Sequence, residues 1–249
     1  MGTGPGKRAE REIAHGRILV EGNPEQTWGW ATPAGRRRSV RRADLIIAGA
    51  HLGIRSRALE IGCGTGMFTE IFARTGAAIV AVDISRELLQ KARARGLPPD
   101  RVRFLEKQFE ECDVEGPFDA VIGSSVLHHL EVDEALRRIF ALLSPGGRMS
   151  FAEPNLLNPQ VYAERRIPFL KRWMWHISPD ETAFVRWRLA ETLRNTGFAD
   201  VEITPFDWLH PATPEWLIGA VGAAGRILEK TPLLREFAGS VLIRCRRPA

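Results

Sequence analysis

The sequence predicts an α/β protein, a doubly wound and mostly parallel sheet of seven strands with helices on both faces, preceded by a helical N-terminal segment. Three observations carry that expectation. Short apolar runs recur at Ala58 to Ile61, Ala78 to Val82, Val102 to Leu105, Phe118 to Ile122, Arg148 to Ala152, Val201 to Thr204 and Ser240 to Cys245. Helical patterns lie between them, and strands alternating with helices of this length pair in parallel and need cover on both faces. The first run ends in a glycine-rich loop and the second in an acid, at the strand ends where open α/β sheets take their ligands.

Each element has a local cause. Residues 1–54 read as a basic helical segment or lid, in which Thr32-Pro33 supplies an N-cap and first helical position for an arginine-rich helix to about Ala50. Met67 to Arg74 follows the glycine loop. Ser85 caps a helix to Arg95 that has Glu87 in its first turn. From Glu131 to Leu143, apolar residues at 132, 135, 136, 139, 142 and 143 form one face of period 3.6, and Pro145-Gly146-Gly147 stops it. Ser178-Pro179-Asp180-Glu181 reads as a capping box that starts a helix ending near Gly197. Residues 55–249 thus form one ligand-binding domain. Insertions at about 154–198 and 211–237 are expected to cover its ligand.

Composition narrows the function. The chain has 249 residues, 44% hydrophobic and 26% charged, so it is long enough for a sizeable core and balanced as globular proteins are. Three cysteines without CxxC spacing outline neither a disulfide framework nor a metal knuckle, and no metal ligand set is read. The lack of an apolar h-region in Met1 to Glu12, and of any apolar run of membrane-spanning length, leads to the expectation of a cytoplasmic protein. The net charge of +5 is local: residues 1–57 carry +6 and the remainder −1. That asymmetry suits an anionic substrate or surface and not a nucleic-acid-binding body, so no nucleic acid partner is expected.

The chemistry concentrates in Leu59-Glu60-Ile61-Gly62-Cys63-Gly64-Thr65-Gly66. Glycines let the backbone turn sharply and approach a ligand, and the following helix presents open N–H groups. Asp83, ending the second strand, is placed to accept from both hydroxyls of a ribose. A dinucleotide fold reads G-x-G-x-x-G; here the third glycine comes one residue early and an acid precedes the loop. This pattern resembles the class I S-adenosylmethionine (SAM) dependent methyltransferases. The resemblance extends to Phe118-Asp119-Ala120-Val121-Ile122-Gly123-Ser124-Ser125-Val126-Leu127-His128-His129-Leu130 and to Leu143-Ser144-Pro145-Gly146-Gly147. It covers about residues 40–155 and is closest to the ubiquinone/menaquinone-biosynthesis-like branch.

The resemblance implies a Rossmann-like fold, SAM as cofactor, S-adenosylhomocysteine as its product, and roles for particular residues. Gly62, Cys63, Gly64 and Gly66 would approach SAM, and Glu60 would hold its ammonium. Asp83 would take the ribose diol, and Ile84 would pack on adenine. Gln108, where relatives carry an acid, and Phe109 would border the adenine. Ser124 would line the methionine side, and Arg42 would meet the SAM carboxylate or else lie solvated in its basic run. His128 and His129 follow the fourth strand; each reads either as a general base for an acceptor hydroxyl or as packing for the next helix. Glu153 reads as orienting the acceptor or as satisfying loop amides.

Seven tryptophans (Trp28, Trp30, Trp173, Trp175, Trp187, Trp208 and Trp216) fall in the covering segments, which suggests an apolar or ring-bearing small-molecule acceptor. Arg165, Arg166, Lys171 and Arg172 read as an anion site or as a solvated helix face. The expected activity is methyl transfer. The alternatives are an NAD-dependent oxidoreductase, a non-catalytic SAM-binding module, or a module that meets anionic membrane through the N-terminal arginines and the Trp216 to Lys230 helix.

Overall fold

The computed structural model describes residues 5–166 and 183–249. Its strands are β1 (Arg57–Ile61), β2 (Ala78–Asp83), β3 (Val102–Glu106), β4 (Phe118–Ser124), β5 (Leu143–Pro154), β6 (Ala199–Phe206) and β7 (Ser240–Arg246). All seven fall on the apolar runs of the sequence. They form one sheet in the order β3-β2-β1-β4-β5-β7-β6, parallel except for β7, which runs antiparallel to both β5 and β6. β1, β2 and β4 bury nearly every residue, as parallel strands covered on both faces must.

Among the described residues the helices are α1 (Pro5–Glu21), α2 (Pro24–Thr27), α3 (Pro33–Ala50), α4 (Met67–Ala73), α5 (Arg86–Arg93), α6 (Val132–Leu142), α7 (Pro159–Arg166), α8 (Arg186–Thr196) and α9 (Ile218–Leu228). The caps act as their residue types require. Thr32 accepts from the Gly35 N–H at 2.9 Å with Pro33 at the first position, and Ser85 accepts from Leu88 at 3.2 Å.

Two cores flank the sheet. One gathers Leu59, Ile61, Val121, Leu136, Ile139 and Leu193 beneath α6 and α8. The other gathers Ala58, Ile79, Ile122, Phe72 and Leu89 with Ala43, Ile46 and Ala50 of α3. Thus α3 is not a lid: its buried stripe covers the sheet, and the division drawn at residue 54 cuts through one core.

Two other expectations change. Phe184 is paired with Asn155 in a parallel bridge, so α8 begins only at Arg186, after Val185, and does not run back through 183–185. The capping box at Ser178 lies outside the described residues. The 211–237 insertion holds α9 and short 3₁₀ turns, yet none of its residues borders the main cavity. β6 is the outermost strand, and its connection meets the segment behind the cavity roof, where Thr32 Oγ1 donates to the Pro211 carbonyl at 2.8 Å.

Candidate active site

The strand order reverses between β1 and β4, and the crevice opens there, at the carboxyl ends. A cavity of ≈ 430 Å³ fills it, a volume typical of small-molecule sites. The glycine loop forms its floor. Gly62 has φ +67°, and a Cβ there would come within 2.3 Å of Val126, so a side chain is excluded twice over. Gly64 faces the cavity wall, where a Cβ would meet the Trp28 ring at 3.5 Å and fill the cradle between them. Gly66 differs: it is absent from the cavity wall, and a Cβ on it would strike Ala92 of α5 at 2.9 Å. Its role is helix packing, not close approach to a ligand.

Asp83 ties the floor together. Its Oδ2 accepts from the Gly64 N–H at 2.7 Å and its Oδ1 from the Ser85 N–H at 2.8 Å, while one edge still lines the cavity. Burial raises its pKa, and the two amide bonds oppose that rise. Ile84, Gln108, Phe109, Cys63 and Ser124 line the same cavity. The Cys63 thiol is pushed well up by burial, then by Asp83 and Glu60, so it is an inert wall.

Glu60 does not line the cavity. Side chains alternate along a strand, so Ile61 faces the cavity while Glu60 turns toward Thr69 of α4 with 2% exposure. Its Oε2 has no hydrogen-bond partner, and burial, helped by Asp83, raises its pKa to about 8 against the lowering by Thr69. A direct bond to a ligand ammonium is therefore not offered by this geometry. Arg42 is likewise behind the wall. It donates to Ser125 Oγ at 2.9 Å, Ser124 Oγ at 3.3 Å, the Ala152 carbonyl at 3.1 Å and Ser240 Oγ, between the rings of Trp30 and Phe206. Desolvation lowers its pKa to about 10, which leaves it cationic at neutral pH. Neither a solvated arginine nor a direct ligand contact, it clamps α3 to the ends of β4, β5 and β7.

The adjacent histidines line the same cavity with ring centroids 4.2 Å apart, yet each has its own carboxylate neighbour. His128 is buried, and its Nδ1 lies 2.6 Å from Glu153 Oε2. Glu153, fully buried and off the cavity wall, also accepts through Oε1 from the Val126 and Leu127 N–H groups at 2.9 and 3.0 Å. Both alternatives read for Glu153 are thereby refined: it satisfies loop amides and orients a ring. The carboxylate thereby fixes the orientation of the ring through Nδ1. His129 Nδ1 instead lies 3.2 Å from Glu12 Oε2 of α1, within ion-pair distance but without hydrogen-bond geometry.

Glu12 belongs to a wall, α1, that the sequence reading placed within a basic helical segment of residues 1–54 without bounding a helix there. Arg8, Glu12, His15, Gly16 and Leu19 of α1 line the cavity, and Arg8 donates to the His128 carbonyl at 2.9 Å and pairs with Glu131 at 3.0 Å. Their spacing of three and four residues was the available signal. Trp28 and Trp30 complete the roof. They follow α2, where Glu25 accepts from Thr65 Oγ1 at 2.9 Å and pairs with Arg95.

Of the tryptophans described, Trp28 and Trp30 line the cavity, Trp208 packs against Gly225, and Trp187 and Trp216 are exposed. Trp173 and Trp175, with Lys171 and Arg172, lie outside the described residues. Glu164 and Arg165 border the cavity; Arg166 does not.

A methyltransferase-domain family matches residues 59–149, the stretch from the glycine loop into β5. A ubiquinone biosynthesis O-methyltransferase of Xanthomonas oryzae pv. oryzae is 37% identical over 117 residues, 45% of this chain and 46% of that one. Residues 59–149 thus carry a methyltransferase domain of the kind found in the class I SAM-dependent superfamily. SAM is the cofactor of that superfamily, and the cradle at Gly64 and the exposed edge of Asp83 fit it. An uncharacterized methyltransferase of Mycobacterium bovis is 28% identical over 195 residues, 76% of this chain and 86% of that one. The N-methyltransferase NodS from Bradyrhizobium japonicum, solved with S-adenosylhomocysteine, shares the fold with a TM-score of 0.57 at 19% identity over 88% of this chain and 90% of that one. The match to the ubiquinone-pathway methyltransferases spans about half their length. Among the described residues no helix is long and apolar enough to cross a membrane.

Proposed function

We propose that this methyltransferase moves the methyl group of SAM to a hydroxyl of a small, ring-bearing acceptor. The observation that carries the reading is one cavity lined by Asp83, the glycine loop and His128, whose ring is held from behind by Glu153. When bound, SAM supplies a methyl group activated on sulfonium sulfur. The chain's own work is then positioning and proton handling. Asp83 and Gly64 hold the nucleoside end, with Ile84, Gln108 and Phe109 along its side.

A hydroxyl must lose its proton as it becomes a nucleophile, and Nε2 of His128 is the group that takes it. Glu153 keeps that ring in the correct tautomer and stabilises the charge it gains, as carboxylate–histidine pairs do in general. His129, beside His128 in the turn after β4, and Glu12 of α1 line the same cavity. Trp28, Trp30 and Phe68 supply flat apolar walls for a ring, which supports an aromatic or quinone-like acceptor. Three buried thiols, Cys63, Cys112 and Cys245, support a reducing compartment, the cytoplasm.

Calorimetric titration with SAM, S-adenosylhomocysteine and NAD tests the reading. Binding of the first two without NAD is expected; NAD binding alone overturns it in favour of an oxidoreductase.

A further inference from the structure

A second surface lies apart from the cavity. Among the described residues, exposed large hydrophobics cluster between residues 216 and 237: Trp216 (81% exposed), Leu233 (78%), Ile227 (68%), Leu234 (45%) and Phe237 (44%). α9, within that stretch, buries only Ile218 and Gly225 and carries a single charge, Arg226. It lies on the body by one edge with most of its apolar surface outward.

Leu233 sits at φ +66° and ψ −52°, in a γ-turn closed by the Leu234 N–H donating to the Pro232 carbonyl at 2.8 Å. A bulky side chain is strained in that region. Here the strain directs the leucine into solvent instead of into a core. Exposed apolar residues scattered singly need no explanation, whereas five large ones within one 22-residue connection, with a strained tip among them, call for a partner.

Charge identifies the partner. Glu229 is held by Arg41 at 2.8 Å and Glu236 by Arg186 at 2.7 Å, which leaves Glu215, exposed beside Trp216, as the one acid of residues 216–237 and their flank without an ion pair among the described residues. Arg226 and Lys230 are exposed and form no ion pair among the described residues, and the same holds for Arg37, one turn before Arg41 on α3. The patch is therefore apolar with unneutralised cations along its side. A second copy would bring these like charges together, while an anionic bilayer would accept both the cations and the apolar side chains.

We infer that the β6–β7 connection docks the protein on an anionic lipid surface through Trp216, Ile227, Leu233 and Phe237, with Arg226 and Lys230 at the headgroups. The face is tied to the site wall. Asn155 Nδ2 donates to the Glu236 and Ala238 carbonyls at 2.8 and 2.7 Å, and Asn158 Nδ2 to the Phe237 carbonyl at 2.8 Å. That strand exit leads into α7, whose Glu164 and Arg165 line the cavity. Docking here sets that cavity wall beside the bilayer. The lipid contact stands apart from the methyl-transfer reading, so either can fail without the other.

Flotation of the full chain with phosphatidylglycerol-containing vesicles and with pure phosphatidylcholine vesicles tests the inference. Flotation with the anionic vesicles, weakened by salt, is expected. Arg226→Gln and Lys230→Gln should each reduce partition about five-fold. Leu233→Gly relieves the positive φ, so it should keep or raise thermal stability while lowering partition. No flotation at low salt, or variants that float as the parent does, would overturn the inference. So would light scattering that finds a dimer dispersed by Leu233→Gly in a protein that ignores lipid, which would assign the face to a second copy.

Discussion

Carboxylates meet two adjacent histidines beside one cavity, and the two pairs are built differently. Glu153, on β5, is fully buried and accepts two amide bonds in addition to the His128 ring. Glu12, on α1, reaches His129 at 3.2 Å, with its side chain 15% and the ring 23% exposed. A buried carboxylate whose bonds are all made is costly to disturb, whereas a partly solvated pair competes with water at every moment. The strand ends thus hold a fixed geometry, and the covering helix holds an adjustable one.

The largest expected effect comes from removing the buried anchor. Glu153→Ala leaves the Val126 and Leu127 amides and the His128 ring without their acceptor, which should cost about 3–5 kcal/mol. Thermal unfolding should fall by roughly 6–20 °C; a shift under a degree would erase the contrast between the pairs. His128→Ala should lower turnover about 10²–10⁴-fold while calorimetry finds SAM affinity unchanged. Should turnover survive and collapse instead in His129→Ala, the base is the ring beside Glu12.

Asp83→Ala should weaken SAM binding about ten-fold, with the lost charge-assisted bonds as the cause. Unaltered affinity would remove Asp83 from the ligand.

Glu60 extends the comparison to a buried carboxyl that lacks a full set of partners. Its folded pKa of about 8 lies above the ordinary 4.5, so between those values the folded chain holds a proton that the unfolded chain releases. Stability from this group is present below about pH 4.5 and is lost as pH rises toward 8. Glu60→Gln should match the parent near the acid end and exceed its melting temperature near pH 8; parallel melting curves across that window would show Glu60 already ionised. The smallest effect belongs to Glu12→Gln, under about 1 kcal/mol by chemical denaturation. A larger loss would mean that α1 is as rigidly built in as β5.

Much of this was legible before any coordinates because it is local. The apolar runs placed the strands, most clearly β1, β2 and β4, since parallel strands buried on both faces must be continuously apolar. The glycine loop and Asp83 met as expected because successive βα units bring the carboxyl ends of neighbouring strands together. Alternation along β1 would have turned Glu60 away from the cavity had it been applied. α1 was harder to read: it is mostly charged, and only its stripe at Arg8, Glu12, His15 and Leu19 shows which side meets the site.

The sequence by itself determined the α/β class, the order of strands and helices, and the glycine loop of the cavity, because each depends on residues within one βα unit. Tertiary structure alone decided that Arg42 is a clamp, that Glu153 serves His128, and that His129 answers to Glu12. Those pairings join residues far apart in the chain. Their strength depends on how much water the fold excludes around them, and no local pattern records that.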